Sequence, residues 1–185
     1  MYFEGIKEYL RAKRKAARHI GVTLYPNNAE IRDALDRLAE AHEGPARQDR
    51  LLALRRTALE VMEVLDDFDP RLIGSVLTGH IKTTSDVDLH AFCDDHERVG
   101  DRLLEAGYDV SFELIMTRKG GEFREFPHYY LAAAAGPVEV SVYPLEDLKR
   151  PQRSSITHKR MERATLSKLR RLIAAMVAER GGEDE

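Results

Sequence analysis

The apolar spacing of this chain changes at Pro70, and that change limits its possible folds more than any other feature. Upstream, apolar residues recur every three or four positions, as on a helix with one buried face. Downstream they alternate, as on strands whose two faces differ. In the upstream part, residues 3–20 carry Phe3, Ile6, Tyr9 and Leu10 at helical spacing before a basic turn, and Gly21 to Pro26 stops the segment. The stretch NNAEIRDALDRLAEAH sets Asn27 and Glu30 at capping-box spacing, with Ile31, Leu35 and Leu38 behind them. After the Gly44-Pro45 break, residues 46–67 predict a third helix with Leu51, Leu54, Ala58, Val61 and Leu65 as its stripe.

Beyond Pro70, RLIGSVLTG and DVDLHAF read as strands, and residues 94–106 as a helix ending at Gly107. YDVSFELIM alternates, with Val110, Phe112, Leu114 and Met116 on one side. A Gly120-Gly121 turn leads into EFREFPHYYLAAAA, the return arm of a hairpin, and Gly136-Pro137 introduces the strand VEVSVYP. Residues 161–180 predict a closing helix with Leu166, Leu169, Leu172, Ile173 and Met176. This order predicts an α+β fold, a mixed β-sheet packed by helices. Its expected parts are an N-terminal helical region (1–68), a core (69–148), and a basic segment with the C-terminal helix (149–185).

With 185 residues the chain can bury one sizeable core. It has no apolar run near 18 residues, so a transmembrane helix and a membrane partner are not expected. The N-terminus lacks an apolar core followed by a small-residue cleavage site and does not read as a signal peptide. Cys93 is alone, which excludes an internal disulfide framework and a cysteine zinc site, and the expected setting is cytoplasmic. The net charge of −3 hides local imbalance: nine basic residues and one acidic, Glu162, lie between Lys149 and Arg171, and five basic residues lie between Arg11 and Arg18. Glu60, Glu63, Asp66, Asp67 and Asp69 crowd a short acidic stretch. Solvated helix faces are the ordinary reading of such runs. The segment holding Arg153, Lys159 and Arg160 is open to phosphate or RNA, but it contains no aromatic to stack a base.

Two carboxylates inside DVDLHAF are costly unless something compensates them. Period-two geometry puts Asp86, Asp88 and His90 opposite Val87, Leu89 and Ala91, and it puts Glu139, Ser141 and Tyr143 opposite Val138, Val140 and Val142. If the two strands are neighbours, Asp86, Asp88 and Glu139 converge. Three like charges repel and raise one another's pKa unless a cation sits among them. Their oxygens suit Mg²⁺, and two such ions could clamp the attacking and leaving oxygens of a phosphoryl displacement. Gly74 would let the backbone approach a phosphate, Ser75 would donate to its oxygens, and Lys82 would supply a cation. The loop HIKTTS, which includes Ser85, would reach over the phosphates.

"GS", ten residues, "DVD" and a later strand acid in "VEV" together resemble the signature of the polymerase-β-like nucleotidyltransferase superfamily over roughly residues 70–145. The resemblance implies a nucleotidyltransferase-like sheet and transfer of a nucleoside monophosphate from a nucleoside triphosphate to a hydroxyl, with release of pyrophosphate. It implies Asp86 and Asp88 as metal ligands, with Glu139 the third acid that deprotonates or positions the hydroxyl. The acceptor is a small molecule, an RNA end or a protein side chain. Two features depart from the pattern: VLTG stands where many small members have an Arg after the Gly-Ser, and the third acid is Glu rather than Asp. The departures leave two alternatives, a catalytically inactive member acting as a nucleotide-binding or antitoxin-like interaction protein, and a nucleic-acid-binding module using the basic C-terminal run.

Several other residues have a functional and an ordinary reading. His80 lies in the phosphate-proximal loop, or is merely exposed. His90 shares the carboxylate face, where a structural hydrogen bond is the ordinary role. Glu113 is an alternative third acid. His128, Tyr129 and Tyr130 could stack on a base or an acceptor ring, or be half-buried strand residues. Cys93 reads as a small core residue.

Overall fold

The capping box forms: the Asn27 side chain accepts from the Glu30 amide (3.0 Å) and the Glu30 carboxylate accepts from the Asn27 amide (2.7 Å). In the computed structural model, which describes residues 9–119, 122–150 and 160–181, this pair starts α2 (Asn28–Glu43). It follows α1 (Tyr9–Ile20), and Lys13 Nζ donates to Asn28 Oδ1 across the two helices (2.8 Å). Pro45 opens α3 (Pro45–Val64), where proline's fixed φ and missing N–H cost nothing. Its stripe is buried as the spacing predicts, from Leu51 and Leu54 through Ala58 and Val61 to Leu65 just past its end. Phe3, Ile6 and the Gly120-Gly121 turn lie outside the described residues, as do Arg153 and Lys159.

The sheet region runs β1 (Arg71–Leu72), α4 (Gly74–Thr78), β2 (Val87–Phe92), α5 (Glu97–Glu105), β3 (Val110–Lys119), β4 (Glu122–Ala133) and β5 (Gly136–Tyr143), and α6 (Leu166–Gly181) closes the chain. The five strands are ordered β1-β2-β5-β4-β3, with β2 and β5 parallel and every other neighbouring pair antiparallel. A parallel pair needs a crossover, and α5 with the β3–β4 hairpin supplies it. The architecture is therefore α+β with a mixed sheet. Val87, Leu89, Ala91, Val138, Val140 and Val142 form one core with the α3 stripe, Val99 and Leu103 of α5, and Leu169 of α6. No helix among the described residues is long and apolar enough to cross a membrane.

Three expectations need correction. RLIGSVLTG is not one strand: β1 stops at Leu72, and a five-residue helix starts at Gly74, whose φ of +68° turns the chain out of the sheet. The apolar side of YDVSFELIM is not buried along its length: Phe112, Leu114 and Met116 are exposed because α5 covers only the start of β3. The charged runs are also less isolated than they look. Arg170 reaches Glu63 (2.8 Å), Arg102 reaches Asp67 (2.9 Å), Arg71 reaches Asp69 (3.2 Å) and Arg150 reaches Asp147 (3.2 Å). Basic residues of the C-terminal run thus meet acids of the α3 end and of their own segment, which weakens the reading of a free nucleic-acid-binding stripe.

Candidate active site

The site begins at the turn after β1. The Ile73 amide donates to the Asp88 carbonyl (3.0 Å), which brings Gly74 directly over β2. There a Cβ on Gly74 would lie 2.2 Å from Asp88 Oδ2. Only glycine leaves room for that carboxylate, and only glycine adopts a φ of +68° without strain. The helix that follows is held from inside the core. Val76 and Leu77 are buried, and Arg55 of α3 donates Nε to the Val76 carbonyl (3.1 Å) and a terminal nitrogen to the Leu77 carbonyl (3.0 Å). The two positions after Gly74-Ser75 therefore face the core, where an arginine aimed at a triphosphate has no place.

The loop between α4 and β2 folds back on its own start. Ser75 Oγ and Ser85 Oγ are hydrogen-bonded (3.2 Å), and Ser85 Oγ also accepts from the Lys82 amide (2.9 Å). Ser75, Ser85 and Asp86 are thereby gathered at one end of β2. Lys82 is exposed in the same turn, joined to it through its backbone.

In the parallel pairing Asp88 sits directly beside Glu139. Asp86, Asp88 and Glu139 each present a carboxylate oxygen within 4.8 Å of the others. Burial, then the charges of Asp86 and Glu139, push the Asp88 carboxyl up to about 7. Glu139 behaves oppositely: His128 of β4 donates Nδ1–H to its Oε1 (2.7 Å), and this bond holds its carboxyl below the usual range. A carboxylate only accepts, so the proton of this bond belongs to the imidazole. The donor set fits a divalent cation: three oxygen ligands, one of them pushed toward neutrality by the other two, gain most from a positive charge between them.

The remaining candidates fall elsewhere. His80 turns away to the Asp36 carboxylate of α2 and lies beside Asp33 rather than beside Asp88. Asp33, Asp36 and His80 make a second acidic group, but Arg47 already donates to Asp36 (2.6 Å). His90 is buried further along β2, its ring 4.6 Å from that of Tyr143. Glu113 pairs with His128 on β3, so β4 and β5 separate it from Asp88. Tyr129 points through to the other face, where its hydroxyl donates to the His96 carbonyl (3.1 Å); it does not face the acids. Tyr130 does, as the direct neighbour of Glu139 in the β4–β5 register. Cys93 is buried. Sequence reasoning missed His128 as the partner of Glu139. The signal was the antiparallel register of β4 on β5, which sets His128 opposite Ser141, one step along the same face from Glu139.

No family model matches this chain, and no curated protein matches it. Among solved structures it is similar to Cid1 in complex with its short product ApU, at 19% identity over 51% of this chain and 31% of that one, with a TM-score of 0.38. It is similar to Cid1 in complex with the UTP analog UMPNPP at 15% identity over 62% and 34%, with a TM-score of 0.37. A cytoplasmic RNA terminal U-transferase matches at 18% identity over 54% and 28%, with a TM-score of 0.33. This chain thus spans about a third of the length of the solved structures it matches.

Proposed function

We propose that this chain is a Mg²⁺-dependent nucleotidyltransferase that moves a nucleoside monophosphate from a nucleoside triphosphate to a hydroxyl acceptor. The observation that carries the reading is the meeting of Asp86, Asp88 and Glu139 across the parallel β2–β5 pair, with Gly74 packed on Asp88. In the reaction the acceptor oxygen attacks the α-phosphorus, the bond to the bridging oxygen of the β-phosphate breaks, pyrophosphate leaves, and the hydroxyl proton passes to solvent. Asp86 and Asp88, with Glu139, would hold the metal, probed most simply as two Mg²⁺ ions, whose chemistry is to offset charge on the phosphates. Ser75, Ser85 and Lys82 line the phosphate side, and the absent side chain of Gly74 keeps the approach open. Glu139, held ionised by His128, orients the acceptor hydroxyl by accepting its hydrogen bond. In this reading residues 69–148 carry the site, and the segments 1–68 and 149–185 frame it. A nucleoside triphosphate substrate and an unpaired Cys93 suit a cytoplasmic setting. The acceptor class is a small molecule, an RNA end or a protein side chain.

A second reading has its own observation. The residues that follow Gly74-Ser75 are buried, so no arginine serves a triphosphate there, and an inactive nucleotide-binding or antitoxin-like protein would need none. One experiment separates the two. Calorimetry with Mg²⁺ and each nucleoside triphosphate should show binding that needs the metal and that Asp86→Asn and Asp88→Asn abolish; unchanged binding removes the reading. Labelled triphosphate incubated with a cell extract should then yield a labelled product, whereas binding without product supports the inactive alternative.

A further inference from the structure

β3 is the last strand of the sheet, and among the described residues no strand pairs with its outer edge. Val110–Lys119 offers ten residues of edge, roughly 33 Å of backbone, and its pairing with β4 runs from end to end without a bulge. Phe112, Leu114 and Met116 are 45%, 52% and 61% exposed on one face of that edge, and Phe123 of β4, on the same face, is 69% exposed. The register explains why this row is apolar. Phe112 lies across from buried Tyr129, and Leu114 across from Pro127, so the row continues the core face of the sheet. The helical layer ends at Phe112, whose ring stacks on His96 at 5.4 Å. A long, unbulged apolar edge is one that proteins cover rather than leave open.

We propose that a second copy of this chain covers it, β3 pairing antiparallel with β3 about a two-fold axis at Leu114. The order of residues along the strand selects a copy of itself as the partner. With the axis at Leu114, Phe112 takes the register position opposite Met116 of the second copy, Leu114 faces Leu114, and Asp109 takes the position opposite Lys119. Apolar residues meet apolar residues in the middle, and an acid meets a base at both ends, as a closed two-fold interface requires. Moving the axis to Met116 would set Leu114 opposite Arg118 and lose the match. The same sequence order that makes the strand self-complementary thus also fixes its register.

Sedimentation of the full chain tests the proposal. The wild type should sediment as a dimer across the micromolar range. Leu114→Lys, which brings two like charges together on the axis at an exposed position, should sediment as a folded monomer with an unchanged far-UV spectrum. A wild type that is monomeric throughout, or a dimer that survives Leu114→Lys, overturns it. A second measurement does not depend on disrupting the interface. On the axis two Cα atoms lie about 5 Å apart, within disulfide reach. Oxidised Leu114→Cys should therefore run as a covalent dimer, while Val177→Cys, exposed on α6, should not; the native Cys93 is buried and silent. Equal cross-linking at the two positions, or none at position 114, also overturns it.

Discussion

The Asp88 carboxylate occupies the space in which a side chain at Gly74 would begin, 2.2 Å from where its Cβ would stand. This contact makes the turn and the acid one unit, although ordinary sequence reading assigns them separate roles. Gly74→Ala must either strain a backbone held at φ +68° or push the Asp88 carboxylate aside. The expected cost is about 1–3 kcal/mol in urea unfolding, together with weaker Mg²⁺ binding by calorimetry. Wild-type stability and affinity in this variant would rule out the coupling.

The Asp88 carboxyl, pushed up to about 7, makes metal-free stability depend on pH. The folded protein favours the neutral form, so this residue's contribution is complete below the ordinary carboxylate pKa. It is lost as pH rises through about 7. Asp88→Asn removes that loss. In EDTA it should match the wild type near pH 4 and exceed it near pH 8 by about 1–3 kcal/mol, less than the full shift because the site is partly solvated. Added Mg²⁺ should stabilise the wild type at pH 8 and leave Asp88→Asn unmoved. Parallel pH profiles for the two proteins would contradict the account.

His128 keeps Glu139 ionised, with the opposite sign. A carboxyl held below its ordinary range contributes stability above that range and loses it as pH falls through the lowered value. His128→Ala should therefore cost about 1–2 kcal/mol at neutral pH, with the gap from wild type closing as Glu139 protonates in acid. Paired chemical melts at neutral and acidic pH measure this. A gap that widens in acid would mean that the imidazole does something other than hold Glu139.

Arg55 reaches the site from α3 without touching an acid. Its two hydrogen bonds to the Val76 and Leu77 carbonyls satisfy the end of a helix too short to satisfy itself. Arg55→Met keeps the apolar stem and strands both carbonyls in the core, at an expected cost of about 2–4 kcal/mol. Faster hydrogen exchange at the Val76 to Gly79 amides than at β2 would locate the loss in α4. Uniform exchange would place it elsewhere.

These residues also mark what could be read from the sequence. Asp88 and Glu139 were legible because a strand's side chains alternate: once β2 and β5 are neighbours, their polar faces have no other place to go. The capping box at Asn27 and the α3 stripe were legible because both are local. The turn at Gly74 was not. RLIGSVLTG has strand-like residues throughout, and what makes GSVLT a helix is a guanidinium from Arg55, far back in the chain, and the carboxylate of Asp88, further on. His128 became the partner of Glu139 through a register that single-strand patterning does not contain. Phe112, Leu114 and Met116 showed the right face but not the end of the helix layer that should cover it.

The parallel pairing of β2 with β5 also sets when the carboxylates meet during folding. The β3–β4 hairpin joins adjacent strands and can close early, but Asp88 and Glu139 belong to strands that the whole hairpin and α5 separate. Contacts so distant in sequence form late, after most loop-closure entropy has been lost. Repulsion among the acids is therefore absent from the folding barrier and falls on the native side of it. Neutralising Asp88 should slow unfolding while leaving the folding rate almost unchanged. By the same logic, a cation that binds among the acids acts as a latch on the finished fold and not as a nucleus for it.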